Sequence, residues 1–131
     1  MELARLHHRI LAFLIDYIII TIFFLILMSF SSNDVVIKII LASTVSILSF
    51  FYFVISEYKY GYTIGKKLVK IKVQNLSGKQ ITLKQALIRN LLRIIDSLPM
   101  FYIVGIISIL ITKNRQRVGD ILAKTIMFKF K

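Results

Sequence analysis

The chain has 131 residues, of which 57% are hydrophobic, with a mean hydropathy of +0.78 and a formal charge of +12. A soluble domain this small has too little interior to hide so much apolar surface, whereas a bilayer accepts it, so the composition indicates an integral membrane protein. The absence of cysteine excludes disulfides, thiolate metal sites, CxxC redox chemistry and a cysteine nucleophile.

Residues 10–30 form a 21-residue run interrupted only by Asp16, Thr21 and Ser29. At 1.5 Å per residue it measures roughly 31 Å, one hydrocarbon thickness, and is read as a transmembrane helix. A cleaved signal peptide does not fit, because the apolar stretch is too long and carries an acid near its start. Residues 35–55 form a second run of equal length, polar only at Lys38, Ser43, Thr44, Ser46 and Ser49. The short turn at residues 31–34 joins the two into a hairpin. Ser43, Ser46 and Ser49 recur at three-residue spacing beside Ala42, which suits close helix approach better than ligation of a cation.

The loop at residues 56–85 carries seven lysines between Lys59 and Lys84, while the turn at 31–34 has no basic residue. By the positive-inside rule the loop and the amino terminus, with Arg5 and Arg9, are cytoplasmic. Lysines beside a bilayer also attract anionic headgroups, at roughly 1 kcal/mol each. Nucleic-acid binding does not explain the charge, since these lysines flank spans and alternate with valine and isoleucine. Tyr52, Tyr58, Tyr60 and Tyr62 with Phe50, Phe51 and Phe53 read as an interfacial aromatic belt. The stretch from Gly61 through Gly65 to Lys66 and Lys67 fails as a phosphate loop, lacking the required spacing and the hydroxyl after the lysine. Within the loop Val69, Ile71 and Val73 alternate with Lys70, Lys72 and Gln74, and near the carboxyl end Ile126, Phe128 and Phe130 alternate with Met127, Lys129 and Lys131. These two segments are predicted to pair as a small cytoplasmic β element.

Residues 84–112 are read as membrane-associated helices. Leu87, Leu91, Ile94, Ile95 and Leu98 share one face, and Gln85, Arg89, Arg93 and Asp96 the other, up to Pro99. The 12-residue apolar run at 100–111 is short for a span, and the basic tail at 113–131 holds Lys113, Arg115, Arg117, Lys124, Lys129 and Lys131. Keeping these cations inside favours a re-entrant helix-turn-helix, with a full third membrane segment as the alternative. The expected fold class is therefore membrane all-α: a two-helix transmembrane hairpin plus a re-entrant or third segment, in one domain over residues 1–131.

Asp16 is the sharpest chemical signal, because an ionisable group inside a span costs about 2.5–3.5 kcal/mol on insertion scales and needs a partner. Arg9 shares its helical face but lies about 10 Å away along the axis, too far for contact within one helix. Arg89, Arg93 and Asp96 follow i, i+4, i+7 spacing, one charged stripe suited to face Asp16 across the bundle. That arrangement serves either as a structural ion-pair network or as a proton or cation site. His7 and His8 lack convergent ligands, so no metal site or cofactor is expected. No serine, histidine and acid constellation suggests hydrolysis, so the chain reads as a non-enzyme.

RILAFLID (residues 9–16), YGYTIGKKLVKIKV (60–73), QALIRNLLRIIDSLP (85–99) and NRQRVGDILAKTIM (114–127) together resemble the RDD family of bacterial membrane proteins, over nearly the whole chain and in the family's order. The resemblance places the family's arginine at Arg9 and its aspartates at Asp16 and Asp120, with Asp96 the competing choice for the second aspartate. It implies a multi-pass protein of the bacterial cell membrane, and a role in transport, including monovalent cation and proton exchange for some members. Two functions stay open. One is a transporter of small monovalent cations coupled to protons through Asp16, acting as a homo-oligomer because so few segments scarcely enclose a pathway. The other is a noncatalytic membrane adaptor or assembly factor binding a partner or anionic lipid.

Overall fold

The computed structural model describes residues 2–96 and 99–130, without the side chains of 96 and 99–102. A short strand β1 (Glu2–Leu3) leads into helix α1 (Leu6–Ser29), which a tight turn joins to helix α2 (Val35–Tyr60). Both helices are long and apolar enough to cross a membrane, at roughly 36 and 39 Å by helical rise. Asp34 starts α2 by accepting the Val36 N–H at 2.8 Å, a side-chain cap for an otherwise orphaned donor. Gly61 ends it at φ 77°, its N–H returning to the Glu57 carbonyl at 2.9 Å. A Cβ at Gly61 would also sit 3.0 Å from the Val73 carbonyl oxygen, but the left-handed φ is the main reason for glycine there.

Each helix overruns its apolar run, α1 beginning before residue 10 and α2 ending after residue 55. The added turns are held by tertiary contacts, since they carry the buried side chains of Arg9 and Glu57. Toward the 31–34 turn the hairpin is open: Ile18 is 53% exposed and Ile47 58%. Only Arg9, Ala12 and Asp16 are buried on α1, and Val45, Phe53, Val54 and Glu57 on α2. Packing therefore concentrates at the end of the hairpin where α1 begins and α2 finishes. Ser43 and Ser46 are exposed and donate to the carbonyls of Ile39 and Ala42, so the close helix approach expected there does not occur within the chain.

The loop and tail hold more structure than expected. A five-residue helix α3 (Ile64–Leu68) precedes strand β2 (Ile71–Asn75), and α6 (Val118–Leu122) precedes strand β3 (Thr125–Lys129). Lys70 takes a left-handed φ of 59° between α3 and β2, which is why the strand starts at Ile71 rather than Val69. β2 and β3 pair antiparallel, Ile71 opposite Lys129 and Asn75 opposite Thr125. β1 adds to the other edge of β3, a pairing too short to leave a periodic signal. Ile71 and Val73 are fully buried with Ala4, Ala12, Val54, Ala86 and Met127.

Between the strands lie α4 (Leu83–Asp96) and α5 (Pro99–Ile111). Thr82 and Gln85 form a reciprocal cap at the start of α4, with N–H to side-chain distances of 3.0 and 3.3 Å. The amphipathic face of α4 is turned opposite to a soluble helix. Ala86, Arg89 and Asn90 point inward at 2% exposure or less, while Leu91 and Ile94 are 58% and 54% exposed. Polar residues face the protein and apolar ones face outward, the arrangement a lipid environment favours. Leu98 lies outside the described residues, as does the Asp96 side chain.

Candidate functional site

Five elements deliver charged side chains to one buried cluster. α1 supplies Arg9, α2 Glu57, α3 Lys66, α4 Arg89 and α6 Asp120. Arg89 is the hub: its Nη1 donates to Asp120 Oδ1 at 2.5 Å and to Thr125 Oγ1 at 2.6 Å, and its Nε donates to Glu57 Oε2 at 3.2 Å. Arg9 Nη1 reaches the other Asp120 oxygen at 2.8 Å, and Lys66 Nζ pairs with Glu57 Oε1. Asn90 Nδ2 completes the Glu57 shell at 3.1 Å, and the Arg117 backbone N–H donates to Asp120 at 3.2 Å. Each of these two carboxylates is thus shared by two cations and at least one neutral donor. Burial alone would raise the Asp120 carboxyl, but Arg89, Arg117 and Arg9 hold it below the usual carboxylate range. Burial pushes the Lys66 ammonium down to about 8, with Glu57 opposing the shift.

Asp16, 2% exposed, is held differently. Thr63 Oγ1 donates to Oδ2 at 2.5 Å, the Gly65 N–H to Oδ1 at 2.9 Å and the Tyr52 hydroxyl to Oδ1 at 3.3 Å. Thr63 is also the N-cap of α3, so one residue starts the helix and binds the acid. Gly65 packs so tightly that a Cβ there would collide with the Ala12 carbonyl oxygen and sit 2.9 Å from the Asp16 carboxyl carbon. The glycine-bearing stretch that failed as a phosphate loop therefore cradles an internal carboxylate.

The arginine partner expected for Asp16 is not found. Among the described residues no cation lies within 4.0 Å of its carboxylate. Arg89 turns instead to Glu57 and Asp120, and Arg93 lies over the Phe53 ring, 3.6 Å from its centroid. Tyr52 leaves the expected aromatic belt to reach Asp16, whereas Tyr58 and Tyr60 stay exposed. Arg9, Arg89 and Asp120 come together, Asp16 and Arg93 sit beside them, and the Asp96 side chain is outside the described residues. Glu57, Lys66, Thr63 and Asn90 are participants that sequence reasoning missed. A cavity of about 90 Å³ opens beside the cluster, with Arg9, Asp16, Lys66, Arg93 and Arg117 in its wall.

Compared with known proteins, the chain matches the family model described as the RDD family over residues 3–124. No curated protein matches it, and no solved structure does.

Proposed function

Because this chain belongs to the RDD family of membrane proteins, we propose that it transports small monovalent cations coupled to protons, with Asp16 as the exchanging acid. One observation carries the reading: Asp16 is a buried carboxylate that no cation among the described residues locks. Glu57 and Asp120 are each shared by two cations, which holds them ionised. The partners of Asp16 are hydroxyls and a backbone N–H. A hydroxyl both donates and accepts, so Thr63 can satisfy the carboxylate and, after rotation, the protonated acid. A single hairpin encloses no pathway, so the transporting unit contains more than one copy.

In proteoliposomes, wild-type protein is expected to move protons in response to a sodium, lithium or potassium gradient, and Asp16→Asn to abolish this while its melting temperature stays close to wild type. Asn keeps an oxygen for Gly65 and a donor for Thr63, so the fold has little to lose. Asp16→Glu should retain activity with a shifted pH optimum. Wild-type protein of confirmed orientation that moves no protons from about pH 6 to 9 would defeat the reading. The second reading, a noncatalytic membrane adaptor or assembly factor, is favoured by the surplus of cations around the cavity, which repels a second cation.

The proposed topology puts both termini and residues 56–85 in the cytoplasm of a bacterial cell, since all carry excess Lys and Arg. The pairing of β2 with β3 supports a re-entrant α4–α5, because a third span would part the two strands across the bilayer. Single cysteines replacing Ser32 and Lys129 test this in the cysteine-free chain. An impermeant thiol reagent on intact cells should label the first and not the second. Labelling of the second alone would invert the topology, and labelling of both would restore a third span.

A further inference from the structure

The cavity beside the cluster holds more positive charge than the described residues neutralise. Arg9, Lys66, Arg93 and Arg117 line it, with Asp16 the one carboxylate in its wall among the described residues, and that carboxylate is already engaged by Thr63, Gly65 and Tyr52. Behind the wall Glu57 and Asp120 are each shared between two cations. Across cavity and cluster, the five cations Arg9, Lys66, Arg89, Arg93 and Arg117 face the three carboxylates Asp16, Glu57 and Asp120. Among the described residues two positive charges remain over. Among the described residues neither Arg93 nor Arg117 has a carboxylate within 4.0 Å. The Nε atoms of Arg9 and Arg117 are buried without a hydrogen-bond partner, a condition that native interiors avoid and that an acceptor in the cavity relieves.

The chemistry of the missing acceptor follows from its donors. Planar guanidinium forks match the oxygens of a phosphate group better than a spherical halide. About 90 Å³ is room for a few waters or one group of that size. Phe13, Ile106 and Ile109 make part of the same wall apolar. Phe13 is 43% exposed, so the apolar part of the wall reaches the outer surface of α1. A phosphate bearing acyl chains therefore has an apolar way out beside the one place that holds its charge. Basic pockets between membrane helices take anionic headgroups in this manner.

We propose that this cavity binds a phosphate group, delivered by an anionic phospholipid headgroup or as free inorganic phosphate. Asp16 shares the wall of this cavity, but phosphate binding does not require proton exchange there and holds whichever function the chain performs. It also removes the surplus charge that would repel a cation from Asp16.

The test measures melting temperature of delipidated full-length protein in neutral detergent against increasing phosphatidylglycerol, phosphatidylcholine or inorganic phosphate. Wild-type protein should be stabilised by phosphatidylglycerol, by phosphate or by both, and less by phosphatidylcholine. Stabilisation by phosphatidylglycerol alone identifies the lipid as the source, and by phosphate as well identifies the oxyanion as sufficient. Arg93→Gln with Arg117→Gln should raise the half-saturating concentration at least about tenfold, as expected for losing charge-assisted hydrogen bonds. Among the described residues neither side chain is in an ion pair, so the double variant keeps every ion pair of the cluster and should fold. A melting curve without ligand checks this, and Arg93→Gln alone carries the comparison if it does not. Replacing the exposed Lys59 and Lys79 with Gln should leave the response unchanged. No stabilisation of wild type by phosphatidylglycerol or phosphate, an unaltered response in the arginine variant, or an equal loss in the lysine variant would each overturn the proposal.

Discussion

Arg89→Gln is expected to destabilise the fold by about 3–5 kcal/mol, the usual cost of leaving buried charge uncompensated. Arg89 is 2% exposed and is the one side chain that bonds Glu57, Asp120 and Thr125 at once. Its removal takes from each of two buried carboxylates one of its two cations, leaving Glu57 on the hairpin to Lys66 and Asp120 in the tail to Arg9. Arg93→Gln is the matched control, four residues along the same helix, where the loss is a ring contact worth about 0.5–2 kcal/mol. Thermal unfolding of the two variants in the same detergent checks the difference, and equal losses would mean that Arg89 is not the hub. Acid attacks the same centre. The Asp120 carboxyl is held below its ordinary 3.8 by Arg89, Arg117 and Arg9, against burial. Its stabilisation is complete above that value and is lost as pH falls further through the depressed pKa. The melting temperature should therefore fall as the pH drops below about 4.

Gly65→Ala should be the most damaging single-methyl change in the chain. The added carbon would collide with the Ala12 carbonyl oxygen, which belongs to a helical backbone and has no rotamer to escape into. α3 must then lift from α1, and Asp16 loses its Gly65 N–H. The loss should exceed the roughly 1–3 kcal/mol of an ordinary overpacked core. Gly78→Ala supplies the contrast, since Gly78 sits at φ 76° with nothing within 4 Å and loses only the ~1 kcal/mol of left-handed strain. A Gly65→Ala protein that melts with wild type would show that α3 does not rest on α1.

The parts of the fold legible in the sequence are those that repeat. The two apolar runs, the turn at 31–34 and the alternation at Ile71 and Val73 each present several residues with one period, and the hairpin and the β2–β3 pair follow from them. α3 and α6 span five residues each, too few to show a period, and exist because tertiary partners hold them. The α4 pattern was readable, but periodicity gives a face without saying which way it points. Its polar side turns inward because Glu57 and Asp120 wait there. Arg9, Arg89 and Asp120 were legible as charges near apolar runs, but pairing was not, because spacing says nothing of contacts between helices. Glu57 was missed because it falls two residues past the end of the apolar run. The chain has only six acids against 18 Lys and Arg, and Glu57 continues the helical face of Phe53 and Val54. Asking where each scarce acid is spent would have found it.

The ion-pair cluster also sets a timetable. Glu57 is separated from Lys66 by 9 residues and from Arg89 by 32, while Arg9 is separated from Asp120 by 111. At synthesis rates of roughly 5–20 residues per second, the last interval lasts about 6–20 s. Throughout it, α1 is already made and its arginine has no carboxylate to meet. The pairs therefore close in sequence on the growing chain, first Glu57 with Lys66, then Glu57 with Arg89, and finally Asp120 with both arginines. That final step ties α1 to α6, so the cluster stays incomplete until Asp120 has emerged.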